Sequence, residues 1–323
     1  MKAVVYHHYG PPEVLGLEEK PPPVPGENEV LVHVRASSVN AGDWHMMRGE
    51  PFLVRLMGYG LLKPKHTTLG FDLAGQVAAV GGAVTRFQPG DAVFGLTPDR
   101  TLGAFAEYAC APEHTLVPKP AHVSFEEAAA VPAAAITALQ GLRDAGRMQA
   151  GHQVLINGAG GGVGTFAVQI AKALGAKVTA VTTTGKLAMA RSLGADRVID
   201  YTGHDFTRLE KRYDLIFDVG AYRSISDYLR VLNPAGRYVL IGGATGRFFQ
   251  AALAGPLLSM VSGKKITTMV AKPNQDDLML IRELLAAGTI RPVIDLRFPL
   301  SDVAGAIRQL EGGHVSGKLV ITV

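Results

Sequence analysis

A single cysteine, Cys110, stands in 323 residues. One thiol cannot close an internal disulfide, so a cross-linked secreted scaffold is excluded, and Cys110 is expected to act as a small buried hydrophobe. Charged residues make up only 19% of the chain against 47% hydrophobic ones, which excludes a disordered or collagen-like protein. Long hydrophobic runs are missing too. The most apolar stretch, Ala251 to Val261, is too short to cross a bilayer and Pro256 interrupts it, so no membrane span is expected. The opening residues Met1 to Tyr6 lack the apolar core of a signal peptide, and with no address visible the expected location is cytoplasmic. Basic residues outnumber acidic ones by 32 to 28. They are scattered, without a basic run or an interleaved aromatic platform, so no nucleic-acid partner is expected. A polyanionic small ligand is compatible with this surplus.

What is abundant is glycine, 38 residues of it, pointing to backbone positions that need positive φ or close approach to a ligand. The length suits two hydrophobic cores. Up to residue 120 the chain reads as short strands punctuated by Gly and Pro: Val4–Tyr6, Glu29–Val34, Gly75–Val80, Ala92–Gly95 and Phe105–Ala109. Pro21 to Gly26 can only be a connector. This half is expected to be a small barrel-like β unit. From Ser124, a good cap followed by acids predicts a helix start. Strands are then predicted at Gln153–Asn157, Lys177–Thr182, Leu215–Asp218 and Arg237–Ile241, with helices near 163–174, 185–193 and 223–232. Such alternation means βαβ units and a parallel sheet. The last residues, Gly317 to Val323, read as a strand of the first unit. The expected domains are therefore 1–122, 123–265 and a return segment, 266–323.

The informative motif runs from Val154 to Thr165. A buried strand enters Gly158-Ala159-Gly160-Gly161-Gly162-Val163-Gly164, and a helix follows with Val163, Phe166, Ala167, Ile170, Ala171 and Leu174 on one face. Ala159, Gly161 and Gly164 occupy the three positions of a dinucleotide fingerprint, with Ala replacing the first Gly. A tight turn lets backbone approach a pyrophosphate, and the helix start offers N–H groups and a positive dipole end to the anion. Strand, turn, helix and second strand in order are the context that gives the pattern weight. An acid gripping the ribose 2′-hydroxyl would stand at the end of the second strand. That stretch reads Val181-Thr182-Thr183-Thr184-Gly185-Lys186. Hydroxyls and an ammonium suit a 2′-phosphate, so Thr183 and Lys186 are expected to grip it, beside Thr182, and NADPH is favoured over NADH.

At this point the whole chain resembles the medium-chain dehydrogenase/reductase superfamily, and within it the quinone oxidoreductases. The resemblance rests on Tyr9–Leu15, Ser38–Trp44, Leu69–Gly75, Phe87–Gly95, Gly103–Tyr108, the glycine motif, Leu193–Tyr201 and Gly317-Lys318. It implies an α/β protein with a GroES-like β-barrel catalytic domain, a doubly wound Rossmann domain, and a cleft between them. It also implies that Asn40, Thr137, Val219, Gly242, Gly243, Met269 and Val270 lie near the nicotinamide. It further implies that Tyr201, with Lys186, contacts the 2′-phosphate, and that Lys318 approaches the cofactor. Alcohol dehydrogenases of the superfamily hold zinc with Cys and His. Here Asn40 stands at the first of those positions and Phe71 at the second, and 133–138 offers no Cys, His or acid. His7, His8, His45 and His66 show no useful ligand spacing, so no metal is expected.

Without a Lewis acid, alcohol oxidation is difficult, and hydride transfer to a hydrophobic acceptor, a quinone or enone, is the expected reaction. The segment 44–69, with Trp44, Met46, Met47, Phe52, Leu53, Leu56, Met57, Tyr59, Leu61 and Leu62, either shapes the acceptor pocket or serves as core or dimer contact. Tyr59 and Arg48 are candidate donors to the developing oxyanion, with a structural role as the alternative. Asp43 is read as a hydrogen-bond acceptor that organises the site rather than a base. Two other functions remain open: an enoyl-thioester or alkenal reductase, with Lys63 and Lys65 meeting a CoA-type phosphate, and a non-catalytic NADPH-binding protein. A homodimer through sheet-edge strands around 237–241 and 266–269 is expected from the resemblance.

Overall fold

A computed structural model describes residues 1–97, 103–243 and 245–323, and the side chains of Met57 and Thr245 lie outside that description. In chain order the first strands are β1 (Lys2–Val5), β2 (Gly16–Glu19) and β3 (Glu29–Val39). Helix α1 (Ala41–Arg48) follows, then β4 (Asp72–Val80), β5 (Ala92–Leu96), β6 (Tyr108–Pro112) and β7 (Leu116–Pro118). Helices α2 (Phe125–Ala129) and α3 (Pro132–Gln140) come next. The Ser124 cap is built as its sequence predicts. Its hydroxyl accepts the Glu127 N–H at 3.1 Å, and the Glu127 carboxylate accepts the Ser124 N–H at 2.8 Å.

The alternating half contains β8 (Gln153–Asn157), α4 (Gly162–Ala173), β9 (Lys177–Thr182), α5 (Leu187–Ser192), β10 (Arg197–Asp200), β11 (Tyr213–Asp218), α6 (Ile225–Arg230), β12 (Leu232–Leu240), α7 (Thr245–Ser262) and β13 (Lys265–Thr268). The chain then adds α8 (Gln275–Ala286), β14 (Ile294–Pro299), α9 (Val303–Glu311) and β15 (Lys318–Thr322).

Two compact units result, one of residues 1–134 with 273–323, the other of residues 135–272. Both divisions fall later than the sequence reading sets them, at 122 and 265. Helix α2 packs on β3, β4, β5 and β15, which keeps it with the first unit. Strand β13 pairs in parallel with β12, which keeps the chain in the second unit past residue 265.

In the first unit a seven-stranded sheet runs β14-β15-β3-β4-β5-β7, with β6 paired to β3, and β1 pairs with β2. Strands β15, β3 and β4 are antiparallel neighbours, and their register sets Val39 beside Leu319 and Ser38 beside Asp72. One core gathers Val4, Tyr6, Met47, Leu69, Phe105 and Ile307, and another gathers Val32, Leu73, Val93 and Leu116. Phe105 forms no strand, and the pairing strand there begins at Tyr108. Cys110 is half-buried, and burial pushes its thiol up to about 11, so it is inert at neutral pH.

The second unit is an all-parallel sheet in the order β10-β9-β8-β11-β12-β13. This is the doubly wound order, whose direction reverses between β8 and β11. Helix α4 buries every residue from Gly164 to Ala171, and Gly175, at φ 82°, ends it in the left-handed conformation. Pro256 does not interrupt the apolar stretch as the sequence suggests, since α7 runs through it. The missing N–H leaves the Ala252 carbonyl without a helical partner on the exposed side, where water can take that place.

Candidate functional site

The glycine turn is shaped by close backbone contacts. Gly158 sits at φ 81°, and its N–H and that of Ala159 donate to the Val181 carbonyl at 3.2 and 3.1 Å. A Cβ on Gly164 would lie 2.1 Å from the Gly158 oxygen. Gly161 is the N-cap of α4 and carries no capping side chain, so the first-turn N–H groups of Gly162, Val163 and Gly164 have no intrahelical acceptor. Over this turn folds the Lys186 side chain, because a Cβ on Gly160 would meet Lys186 Cδ and Thr182 Oγ1, each at 2.5 Å. Thr182 is buried at the end of β9, and its carbonyl accepts the Tyr201 N–H at 3.2 Å. Tyr201 stacks with Tyr222 at 6.4 Å between ring centroids.

Across the switch point, Val219 lies against Gly158. Gly242 packs on the Val219 carbonyl, and Gly243, at φ 99°, packs on that of Gly220. The Met269 N–H donates to the Leu240 carbonyl at 3.0 Å, and Val270 is exposed. Thr137 is half-buried on α3. The fingerprint, the phosphate-side residues, Val219, the Gly242-Gly243 pair and Met269 thus cluster at the carboxyl ends of the parallel strands.

A buried polar network supports this edge, and the sequence reading missed it. Asp218 accepts from Asn157 Nδ2 at 2.7 Å, Tyr238 OH at 2.7 Å, and the Gly220 and Ala221 N–H groups at 3.1 and 2.8 Å. Burial pushes its carboxyl above the ordinary range, against the pull of these donors. A polar residue closing each of two apolar strands, Asn157 on β8 and Asp218 on β11, was the available signal.

The first unit holds the other candidates. Asn40 caps α1, and Lys318 opens β15. Their side chains touch, with Lys318 Nζ donating to Asn40 Oδ1 at 2.5 Å. Both meet Asp72, which the sequence reading did not single out: Asn40 Nδ2 lies 2.9 Å from Asp72 Oδ2 and Lys318 Nζ 3.3 Å from it. Tyr59, partly buried, packs against the core that holds Val4 and Tyr6, and its carbonyl accepts the Tyr9 hydroxyl at 3.0 Å. Arg48 is engaged by Glu311 through two bonds, of 2.5 and 3.0 Å. Within segment 44–69, Met46 and Met47 join the core, whereas Phe52, Leu53, Leu56, Leu61 and Leu62 are exposed.

Asp43 is fully buried and accepts the Asn40 N–H at 2.8 Å and the Gly70 N–H at 3.0 Å, which fits an organising acceptor. Burial pushes its carboxyl up to about 7, although both N–H groups pull the other way. Between its ordinary value and about 7 the folded chain binds a proton that the unfolded chain has released, so stability falls as pH rises through that window. The unfolding free energy from denaturant titrations should drop between pH 5 and 7.5 by an amount on the order of 2 kcal/mol. In Asp43→Asn that slope should vanish, and an unchanged slope would assign it to other groups.

Residues 26–121 match the alcohol dehydrogenase GroES-like domain, and residues 193–321 match the family described as zinc-binding dehydrogenase. A chloroplast envelope quinone oxidoreductase homolog of Arabidopsis thaliana is 32% identical over 99% of this chain and 98% of its own. The chain belongs to the medium-chain dehydrogenase/reductase superfamily. A second member, the chloroplastic NADPH-dependent alkenal/one oxidoreductase of Arabidopsis thaliana, is 33% identical over 99% of this chain and 79% of its own. The quinone oxidoreductase of Escherichia coli, solved in complex with NADPH, superposes on all of both chains with a TM-score of 0.86 at 27% identity.

Among the described residues, those at the matched positions do not fit the zinc in the matched family's name. Asn40 offers a carboxamide already bonded at both ends. The Phe71 ring packs on Gly42, 2.9 Å from where a Cβ would stand. Among the described residues no group of three or more His, Cys, Asp or Glu side chains could hold a metal ion. No described helix is long and apolar enough to cross a membrane.

Proposed function

We propose that this chain is an NADPH-dependent oxidoreductase that reduces a quinone or an α,β-unsaturated carbonyl without a metal, and that it does so as a cytoplasmic homodimer. The observation that carries the reading is the edge of the parallel sheet, where Lys186 folds over Gly160 and β9 ends in Thr182 with no acid. The similar alkenal/one oxidoreductase of Arabidopsis thaliana is NADPH-dependent and the similar quinone oxidoreductase of Escherichia coli was solved with NADPH, which supports the cofactor. When bound, the nicotinamide supplies a hydride, which the acceptor takes up before a proton completes its reduction.

The residues' part in this reading is binding and orientation. The N–H groups opening α4 would meet the pyrophosphate, and Thr183, Lys186 and Tyr201 would meet the 2′-phosphate. Thr137, Val219, Gly242, Gly243, Met269 and Val270 would border the nicotinamide. Asn40 would present its amide to the reacting site, with Tyr59 the candidate donor to the acceptor oxygen. For zinc independence the support is chemical: a carboxamide and a phenyl ring stand where thiolate and imidazole would be needed. For the dimer it is the edge position of β13 and the exposed Leu253, Leu257, Met260 and Val261 on α7 beside it.

The test is NADPH oxidation followed by absorbance, in EDTA, with a benzoquinone, phenanthrenequinone, a short alkenal and an enoyl-CoA thioester, and with NADH in parallel. Turnover that favours NADPH and ignores the chelator is expected. Tight NADPH binding without turnover on any acceptor would point to a sensor. Loss in EDTA with recovery on adding zinc would overturn the metal-free reading.

A further inference from the structure

We propose that Lys318 is a positioning residue whose buried ammonium holds the Asn40 carboxamide in a single orientation. The proposal rests on the reading of Asn40 as a residue of the reacting site. Lys318 and Asp72 are only 3% and 0% exposed, so neither charge is there for solubility. The ammonium meets three acceptors, Val39 O at 3.2 Å, Asn40 Oδ1 at 2.5 Å and Asp72 Oδ2 at 3.3 Å. These match the three donors an ammonium has. Asn40 Nδ2 in turn donates to Asp72 Oδ2 at 2.9 Å and to Ser38 O at 3.3 Å.

Turning the carboxamide over would face its NH₂ toward the ammonium and its oxygen toward the carboxylate, replacing two attractions with two repulsions. Asp72 cannot swing away to accommodate that turn. Its Oδ2 also takes the Ser38 hydroxyl at 2.6 Å, and its Oδ1 takes the Ala133 N–H at 2.8 Å. The Asn40 backbone is held as well, by Asp43. The three strands that carry the network are neighbours in the order β15-β3-β4, which is how residues 40, 72 and 318 meet. Lys318 and Asp72 form a neutral pair, the condition under which buried charges are tolerated, and burial pushes the carboxyl of the neighbouring Asp43 toward its protonated, uncharged form. With the ammonium in place, the oxygens around Asn40 already have their cation.

The test is Lys318→Ala with chemical rescue. Its kcat should fall between about 10- and 100-fold, with the KM for NADPH moving much less. Propylammonium, which returns the charge and most of the stem, should restore activity, and propanol of the same size should not. Removing the lysine alone strands a buried carboxylate, so a charge-neutral variant, Lys318→Met with Asp72→Asn, guards against simple unfolding. It should fold, keep the low kcat, and show a larger primary isotope effect with deuterated NADPH, since a loosened Asn40 slows the hydride step itself. Equal rescue by propanol, or a neutral variant with wild-type kcat and isotope effect, overturns the proposal alone. A wild-type protein that never oxidises NADPH overturns the functional reading, and this inference with it.

Discussion

Lys186→Glu should reverse the choice between the two nicotinamide dinucleotides, lowering the NADPH-to-NADH ratio of kcat/KM on the order of 10³-fold. The lysine side chain lies directly over Gly160 and beside Thr182, at the end of β9 where an NAD-type site carries its acid. The substitution removes a charge-assisted bond to the 2′-phosphate and adds repulsion against a dianion. It also places a carboxylate within reach of a 2′-hydroxyl. A second charge sharpens the effect. Asp200, the register partner of Thr182 on β10, has its carboxyl lowered from the ordinary value by hydrogen bonds from the Thr184 and Thr202 hydroxyls. Without Lys186 the phosphate side of the site would therefore be negative before any ligand arrives. The check is steady-state kinetics with both cofactors, together with fluorescence titration of each. A ratio changed by less than about threefold would remove Lys186 from the phosphate site and leave Tyr201 and Thr183 to account for the preference.

The parallel sheet was the most legible part of the chain, because buried strands between amphipathic helices carry two distinct periods. Strands Gln153–Asn157 and Lys177–Thr182 have the predicted bounds. Strand β13 was legible only through the resemblance, which expects a sheet-edge strand around 266–269. Lys-Ile-Thr-Thr is short and half polar, so its local pattern gives it no place, and its pairing with β12 does. Helix α2 misled in the opposite direction. Its cap is plain in the sequence, yet a cap states where a helix begins and says nothing about which core it packs on. Pro256 misled because the penalty for proline inside a helix depends on which carbonyl is stranded, and here it belongs to an exposed residue, Ala252.

The site divides in the same way. The glycine turn and the polar end of β9 follow from local sequence, since the chemistry they serve is set by neighbours along the chain. The Asn40–Asp72–Lys318 network joins three residues far apart in sequence, and pairing across β15, β3 and β4 is what gathers them. Asn40 and Lys318 could be suspected one at a time. That Asp72 holds both is a property of the register. The same holds for Asp218, which draws donors from β8, β12 and the turn after β11.

Gly161→Ala and Gly164→Ala, three residues apart in one motif, should fail for different reasons. At Gly164 an added Cβ would meet only backbone: the Gly158 oxygen at 2.1 Å and the Ala159 Cα at 2.7 Å. The turn cannot retreat. On one side the Val181 carbonyl holds the Gly158 and Ala159 N–H groups, and on the other Val219 Cβ lies 3.2 Å from where a Cβ on Gly158 would stand. Gly164→Ala should therefore lose about 2–3 kcal/mol of stability and weaken NADPH binding at least about 10²-fold. Gly161 is the opposite case. Its φ of −93° suits any residue, and the nearest atom to an added Cβ is 3.6 Å away. Gly161→Ala should melt within about 0.5 kcal/mol of the wild type. What it adds is a methyl group on the backbone that a pyrophosphate must approach, so NADPH should bind roughly tenfold more weakly with the fold intact. Denaturant unfolding and NADPH titration on both variants separate the two causes. If Gly164→Ala keeps wild-type stability and affinity, the turn is not the rigid cradle described. If Gly161→Ala binds NADPH as tightly as the wild type, the pyrophosphate does not approach the turn at Gly161.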